Sequence, residues 1–213
     1  FSSSPITDSD PAVTIKKVDG GKFSTYVNEV LKEGDIIEVM PPMGKFTRIT
    51  DLNAQNQYFM FAGGSGITPI MSIIKSVLKN EPKSIINLIY ANRNKESIIF
   101  NDLLNKMHSE NSDRLQIYHS LDQAEPGFSG NTGFLSANLI DSLVKQMAKA
   151  GYSPEFYICG PSPLMDLVKN TLAGMGIAQA KIHTEYFTTP TNSNKAETPA
   201  PAKVEENFDG NAM

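Results

Sequence analysis

The stretch from Tyr58 to Met71, YFMFAGGSGITPIM, constrains the fold of this chain more than any other. Its mostly apolar start, Tyr58 to Ala62, predicts a strand that is buried on both faces. A glycine-rich turn follows, and an apolar stripe with helical spacing begins at Ile70. Pro69 fits the first turn of that helix because its missing N–H would have no partner there. Strand, glycine turn and helix start together predict a dinucleotide-phosphate site, since such turns let the backbone approach a pyrophosphate.

This motif alone is also compatible with an ordinary strand-to-helix turn. Gly64 and Gly66 supply the first two glycines of G-x-G-x-x-G, but Pro69 stands at the third position. No Gly-Lys-Ser/Thr follows, so the turn is not a P-loop. The candidate nucleotide contacts in it are Gly63, Gly64, Ser65, Gly66 and Thr68.

A second motif, FYICGP from Phe156 to Pro161, is another apolar run that ends in a glycine turn before a helical stripe. Together the two motifs resemble the ferredoxin-NADP reductase-like flavoprotein family. The resemblance implies that the first glycine turn holds the pyrophosphate of NAD(P)H. It also implies that Cys159 and Gly160 lie beside the nicotinamide, where hydride passes to the flavin, with Pro161 as a further cofactor contact. Cys159 would place the nicotinamide rather than act as a nucleophile, and a small buried hydrophobic residue is an equal interpretation.

Apolar runs and amphipathic stripes alternate from Tyr58 to about Phe187, which predicts repeated strand–helix units. Such units form an α/β fold with a parallel sheet and helices on both faces. Ligands bind at the carboxyl ends of the strands, where both glycine motifs fall. We therefore expect a five-stranded parallel nucleotide-binding sheet over residues 53–187. Strands are predicted at 58–62, 84–91, 115–120, 155–160 and 180–186, and helices at 68–79, 97–108, 136–149 and 161–175.

Residues 1–52 have a different pattern, in which glycine and proline separate short strands, as in a small antiparallel β-barrel. Strands are predicted at Val13–Val18 and Ile36–Val39, with a short helix between Phe23 and Leu31. These strands are too few to close a barrel, so we expect a partial barrel whose remainder lies upstream. The family resemblance implies that it is the C-terminal part of an FAD-binding barrel.

Two flavin contacts in this segment are implied by the same resemblance. One is a strand whose backbone lies along the FAD, and the other is a Gly-x-x-Ser turn that holds a flavin phosphate. Without the resemblance, an ordinary helix N-cap is the better interpretation of that turn. The residues are Ile15 and Lys16 in the strand, and Gly21, Lys22, Phe23 and Ser24 in the turn.

The end of the last predicted strand, Glu185-Tyr186-Phe187, resembles the terminal Glu-x-aromatic of the family. The resemblance implies that Glu185 lies near the flavin and the nicotinamide, and that Phe187 packs beside the isoalloxazine. The alternative is a strand end with one solvated glutamate and one buried phenylalanine.

The loop after the second predicted strand carries Arg93 and Lys95, with no acidic residue before Glu96. In dinucleotide-binding folds this strand end meets the adenosine ribose, where a carboxylate selects NADH. A guanidinium can instead bind a 2′-phosphate through two charge-assisted hydrogen bonds. We therefore expect NADPH to be preferred over NADH, with Arg93 as the main phosphate contact. A solvated loop arginine is the alternative interpretation.

The resemblance covers residues 1 to about 187 and is closest to the reductase components of phenylacetyl-CoA-type oxygenases. It implies an NAD(P)H-dependent reductase that passes hydride to FAD and then single electrons to an iron–sulfur centre serving an oxygenase. Residues 188–213 have the composition of a disordered linker, and the subgroup's domain order implies a 2Fe–2S ferredoxin domain after it. Two alternatives stay open, namely a non-catalytic electron-transfer or nucleotide-binding subunit, and the reductase part of a globin-fused flavoprotein.

Composition excludes several other classes of protein. A net charge of −4 without a basic run argues against nucleic acid as the main partner. No apolar stretch reaches the length of a membrane span. The single cysteine, Cys159, excludes an internal disulfide and a cysteine-ligated iron–sulfur cluster within this sequence, and it fits a reducing cytoplasm. The histidines lack metal-ligand spacing, so we predict no metal site.

Overall fold

Long apolar runs form the strands of a parallel sheet in the computed structural model, which describes residues 1–187. The strands are β1 (Asn56–Gly63), β2 (Ile85–Asn92), β3 (Leu115–Leu121), β4 (Asn131–Thr132), β5 (Ser153–Cys159) and β6 (Ile182–Glu185). Their order in the sheet is β4-β3-β2-β1-β5-β6, and all neighbouring pairs are parallel. Strand β1 lies at the centre and is buried over almost its whole length, because helices cover both faces of the sheet.

The helices pack on the sheet in two layers, and each layer encloses one apolar cluster. Tyr58 and Met60 of β1 point to one face and Phe59 and Phe61 to the other, which follows from the period of two along a strand. Helices α2 and α3 cover the first face, and α4 and α5 cover the second. The helices are α1 (Lys22–Glu29), α2 (Ile67–Asn80), α3 (Asn101–Glu110), α4 (Ala137–Met147) and α5 (Ser162–Gly174).

The predicted parallel sheet is confirmed, and each of its five predicted strands overlaps one of β1, β2, β3, β5 and β6. The sixth strand, β4, was missed because two residues are too few to show an apolar pattern. A tertiary bond holds β4 in place, since the Asn131 amide donates to Ser120 Oγ at 2.9 Å, and the same amide supports the local turn by donating to the Gly133 carbonyl at 2.9 Å. The prediction of a five-stranded sheet is therefore corrected to six strands.

Helix α3 begins later than the predicted 97–108, and local backbone geometry explains the difference. Lys95–Ser97 forms a short 3₁₀ turn, which Asn94 caps by accepting from the Ser97 N–H at 3.1 Å. Phe100 then adopts a left-handed conformation with φ of 64°, which an α-helix cannot contain. The helix therefore starts at Asn101.

Residues 1–55 contain helix α1, which overlaps the range predicted for it, but no segment of them forms a β-ladder. The strands predicted at Val13–Val18 and Ile36–Val39 form no ladder within residues 1–187, and as parts of a larger barrel they stay predictions. A strand needs a partner strand for its backbone N–H and C=O groups, and none of residues 1–187 forms one beside these segments. Several apolar side chains here face solvent, among them Ile36, which is 97% exposed. The partial barrel itself stays a prediction.

Polar contacts attach this N-terminal segment to the sheet domain through helix α2. The hydroxyls of Ser4 and Ser76 share a buried hydrogen bond of 2.8 Å. Lys75 donates to the Asp8 carboxylate at 2.9 Å. The backbone N–H of Ser4, followed by Lys75, lowers the pKa of Asp8. Helix α2 thus contacts the segment predicted to face the flavin.

The predicted domain boundaries at 52/53 and 187/188 stay predictions. Strand β1 begins at Asn56. The predicted linker over 188–213 lies outside the described residues. Among residues 1–187, no helix is both long enough and apolar enough to cross a membrane.

Candidate functional site

The two glycine motifs lie side by side at the carboxyl edge of the sheet. Strands β1 and β5 are neighbours, and Ala62 lies opposite Cys159 in their register. From β1 the chain continues into β2 on one side, whereas β5 pairs on the other side. This reversal of strand order opens a crevice at the strand ends, which is where open α/β sheets bind ligands.

The turns after β1 and β5 touch through their backbones. A methyl group on Gly66 would lie 2.1 Å from the carbonyl oxygen of Cys159, and one on Gly63 would lie 2.6 Å from Leu164 Cδ2. The clash at Gly66 is with backbone, so that position requires glycine for packing, whereas a side chain at Gly63 would force Leu164 and Pro161 to shift. Gly160 has the same role as Gly66, since its Cβ would lie 2.9 Å from the Gly63 nitrogen.

Gly64 differs from its neighbours because it faces open space. Its φ of +50° lies in the left-handed region, and the nearest atom to a methyl group there is Lys16 Nζ at 4.0 Å. Helix α2 begins directly after the turn, and its N-cap residue, Gly66, provides no side-chain cap. A partly positive helix end, open backbone and a nearby ammonium group match the chemistry of a dinucleotide pyrophosphate.

An open cavity of about 970 Å³ lies beside this edge and joins the N-terminal segment to the sheet. Its lining includes Thr68, predicted as a nucleotide contact, and Glu185 and Phe187, predicted to lie near the flavin. Its volume is in the range of cofactor pockets. Residues lining it that sequence reasoning missed include Phe1, Ser3, Phe46, Thr47 and Arg48.

Cys159 ends β5 and is fully buried in the apolar cluster beneath the crevice. Burial, with a smaller contribution from the charge of Glu185, raises the pKa of its thiol to about 12. Glu185 lies opposite Cys159 in the register of β5 and β6. A neutral, enclosed thiol agrees with a packing or positioning role and argues against a nucleophile.

We expect this thiol to be unreactive in the folded protein. At pH 8 the native chain should not react with a disulfide reagent such as DTNB, because Cys159 is protonated and enclosed. After unfolding in guanidinium chloride, one thiol per chain should react within the mixing time. Fast, stoichiometric reaction of the native chain, with circular dichroism showing it folded, would contradict this burial.

The predicted flavin-phosphate turn lies at the start of helix α1. Ser24 is buried, and its hydroxyl accepts from the Val18 N–H at 3.1 Å and donates to the Gly21 carbonyl at 3.4 Å. Ser24 therefore fixes the turn, while α1 has no side-chain cap at Gly21. Lys22 and Phe23 are exposed and Ile15 is half-buried. None of these residues lines the large cavity, and their flavin contacts stay predictions.

Arg93 is exposed in the loop that follows β2. Its carbonyl accepts from the Gln123 N–H at 2.7 Å, and the Asn92 carbonyl accepts from the Asp122 N–H at 3.0 Å. The loops after β2 and β3 are thus joined, which brings an acidic residue, Asp122, to the same edge. The sequence did not predict that Asp122 lies near the Arg93 loop, because strand order is needed to place the two loops together.

A family model described as the oxidoreductase NAD-binding domain matches residues 60–170, just over half of the chain. The chain belongs to this family. The match spans β1 to α5 and therefore contains both glycine turns. The NAD-binding oxidoreductase class expected from the sequence is thereby confirmed.

Curated relatives of this NAD-binding domain include components of an epoxidase and of a monooxygenase. It is 34% identical over 179 residues to a component of the 1,2-phenylacetyl-CoA epoxidase of Escherichia coli K12, covering 84% of this chain and 50% of the relative. It is 32% identical over 206 residues to the ferredoxin reductase component of 3-ketosteroid-9-alpha-monooxygenase from Rhodococcus rhodochrous, covering 97% and 54% respectively. The chain thus spans about half the length of these relatives.

Solved structures support the fold of the domain. The ferredoxin NADP⁺ reductase of Neisseria gonorrhoeae, solved with FAD and NADP, aligns with a TM-score of 0.64 and 22% identity. The alignment covers 79% of this chain and 71% of the reductase. The predicted ferredoxin-NADP reductase-like fold of the nucleotide-binding sheet is therefore confirmed.

Proposed function

We propose that the chain provides the NAD(P)H-binding part of a flavin-dependent reductase that supplies electrons to an oxygenase. The observation that carries the proposal is the junction of the turns Gly63–Gly66 and Gly160–Pro161 beside the cavity that reaches Glu185 and Phe187. This arrangement offers a pyrophosphate site and an adjoining pocket for a reacting ring. The two curated relatives, named as parts of an epoxidase and a monooxygenase, support the choice of oxygenase.

The first glycine turn would bind the nucleotide pyrophosphate. Backbone N–H groups at the start of α2 supply hydrogen-bond donors, and Gly64 leaves room for close approach. The ammonium of Lys16 would add a positive charge from the flavin-side segment. Thr68, in the first turn of α2 and at the cavity wall, would position the part of the ligand that enters the cavity.

The ends of β5 and β6 would hold the nicotinamide next to the flavin. Bound FAD would supply two-electron acceptance from NAD(P)H and one-electron release to an iron–sulfur centre. Cys159, a neutral buried thiol, would form an apolar support under the crevice. Glu185 would place a carboxylate at the cavity wall, and Phe187 would cover one side of the flavin.

The wider assembly follows from the same proposal. The flavin would be held by the turn Gly21–Ser24 and the backbone of Ile15 and Lys16, and it would pass electrons to a 2Fe–2S domain or a separate ferredoxin. The final acceptor would be an oxygenase component. The buried thiol of Cys159 suits a reducing compartment, so we place the protein in the cytoplasm.

The decisive experiment is anaerobic stopped-flow mixing of the natural full-length protein, loaded with FAD, with NADPH or NADH. We expect the flavin absorbance to bleach in a single turnover, followed by rapid reduction of an added plant-type ferredoxin. Tight NADPH binding without bleaching would instead favour a non-catalytic nucleotide-binding subunit. Failure of the chain to bind either nucleotide would refute the proposal.

We further propose that NADPH is preferred over NADH and that Arg93 is responsible. Arg93→Ala should lower catalytic efficiency with NADPH about tenfold or more and leave NADH within about twofold, because a charge-assisted contact of roughly 1.5–3 kcal/mol is lost. Catalytic efficiencies of wild type and variant with both nucleotides measure the effect.

Asp122 offers a substitution with the opposite expected effect. Its N–H bonds to the Asn92 carbonyl, next to Arg93, and its carboxylate would repel a 2′-phosphate. Asp122→Asn should shift the NADPH/NADH ratio upward, whereas Arg93→Ala should shift it downward. Equal efficiencies in the wild type, or an Arg93 variant with an unchanged ratio, would remove Arg93 from this role.

A further inference from the structure

Tyr90, near the end of β2, links the first glycine turn to the next loop of the nucleotide edge. Its side chain is fully buried in the apolar cluster under α2 and α3. Its hydroxyl donates to the carbonyl of Gly64 at 3.0 Å. The same hydroxyl accepts from the backbone N–H of Ile99 at 3.2 Å. One oxygen atom therefore bridges two loops that are separated along the chain by helix α2 and strand β2.

The bond to Gly64 bears on anion binding because of where the carbonyl must point. Gly64 is in a left-handed conformation, which glycine leaves at little cost. A rotation of this peptide would turn a carbonyl oxygen, which repels phosphate, toward the open side of the turn. In the structure the Gly64 carbonyl accepts from both the Tyr90 hydroxyl and the Ile67 N–H. These two bonds hold it away from that open side.

The bond to Ile99 fixes the second loop. The loop carries Arg93 and contains the reciprocal Asn94–Ser97 cap. The Ile99 N–H lies just after that cap and is bound to the interior through the Tyr90 hydroxyl. Burial raises the pKa of Tyr90 to about 12, so the hydroxyl keeps its proton at neutral pH and stays a donor to Gly64.

We propose that Tyr90 is a positioning residue for NAD(P)H, whose hydroxyl keeps the Gly64 peptide in the orientation that binds the pyrophosphate. The proposal rests on the nucleotide-binding function proposed above and deepens it. Tyr90 does not line the crevice, so it acts on the ligand through the Gly64 carbonyl. Because the pyrophosphate is common to NADPH, NADH and ADP, the effect should be the same for all three.

The test is nucleotide binding to the chain carrying Tyr90→Phe, which removes the hydroxyl and keeps the ring. Calorimetry with NADPH, NADH and ADP should show about three- to tenfold weaker binding for each ligand, as expected for one lost hydrogen bond. Tyr118→Phe is the matched control, because Tyr118 lies on the neighbouring strand and packs on the opposite face. It should leave all three affinities unchanged. Arg93→Ala should weaken NADPH alone.

Several outcomes would overturn the inference. Unchanged affinities in Tyr90→Phe, even with a lower melting temperature, would show that Tyr90 only stabilises the fold. A loss confined to NADPH would place the effect at the 2′-phosphate rather than the pyrophosphate. If the unmodified chain binds none of the three ligands, the proposed function fails and this inference fails with it.

A measurement on the unmodified chain covers the case in which Tyr90→Phe does not fold. Amide exchange followed by NMR should show the Ile99 N–H protected, and added ADP should slow exchange at Ile99 together with Ser65 and Ile67. Exchange of Ile99 at the rate of an unprotected peptide would show that the bridge is absent in solution. Protection that ADP leaves unchanged at Ile99 would show that the two loops are not coupled.

Discussion

Replacing Gly66 by alanine should remove both the stability and the nucleotide site of this protein. The added Cβ would lie 2.1 Å from the Cys159 carbonyl oxygen and 2.7 Å from the Gly160 nitrogen. Both contacts are with backbone, so no side chain can rotate away and the two turns must separate. We expect a loss of about 3 kcal/mol or more in the free energy of unfolding, at the upper end of overpacking effects. Urea unfolding followed by circular dichroism measures it.

Gly174→Ala is the matched control for this substitution. Gly174 ends helix α5, and an added Cβ there meets no atom within 4 Å. Alanine should leave stability unchanged or raise it by up to about 1 kcal/mol, because it loses less backbone freedom in a helix. A Gly66→Ala chain as stable as Gly174→Ala would show that the two turns do not touch as described.

Removing the Glu81 carboxylate should destabilise the protein about as strongly. Glu81 caps the end of α2 and is fully buried. Its carboxylate accepts from Arg48 Nε at 2.9 Å, from the Tyr58 hydroxyl at 2.7 Å and from Ser84 Oγ at 2.7 Å. Glu81→Ala would leave these donors and the Arg48 charge without a buried acceptor. We expect a loss of about 3–5 kcal/mol in chemical unfolding, the usual cost of breaking a buried ion pair.

A surface glutamate provides the comparison. Glu110 lies 3.9 Å from Lys106 in an exposed pair on α3, and Glu110→Ala should cost less than about 0.5 kcal/mol. Glu81→Gln keeps the shape and part of the hydrogen bonding, so its cost should fall between the two. If Glu81→Ala and Glu110→Ala cost the same, the Arg48–Glu81 contact does not form in solution.

Glu81 and the side chains that donate to it, here called the Glu81 cluster, also border the candidate cofactor site, because Arg48 lines the large cavity. The Asp51 N–H donates to the same carboxylate at 3.3 Å, so residues 48–51 are held against the end of α2. Helix α2 begins at the glycine turn and ends at this cluster. One helix thus connects the predicted pyrophosphate site with the segment that joins the N-terminal residues to the sheet.

The sequence by itself determined the parallel sheet, its five main strands and both glycine turns. These features are encoded locally, since an apolar run or helical stripe can be recognised within about ten to eighteen residues. The turn at Gly63–Gly66 was recognisable for the same reason, because strand, glycines and helix start are consecutive. In the N-terminal segment, local patterns correctly predicted helix α1 but also predicted strands that find no partner among the described residues.

Only the tertiary structure decided which side chains meet at the edge of that sheet. Strand β4 forms because Asn131 bonds to Ser120. The loops that carry Arg93 and Asp122 are joined by the bonds of the Asp122 and Gln123 N–H groups to the carbonyls of Asn92 and Arg93. The requirement for glycine at position 66 comes from the Cys159 carbonyl, and the link from Tyr90 to Gly64 comes from strand pairing. Each of these contacts joins residues far apart in the chain. Their positions depend on strand order and register, which hydrophobic period and turn composition do not specify.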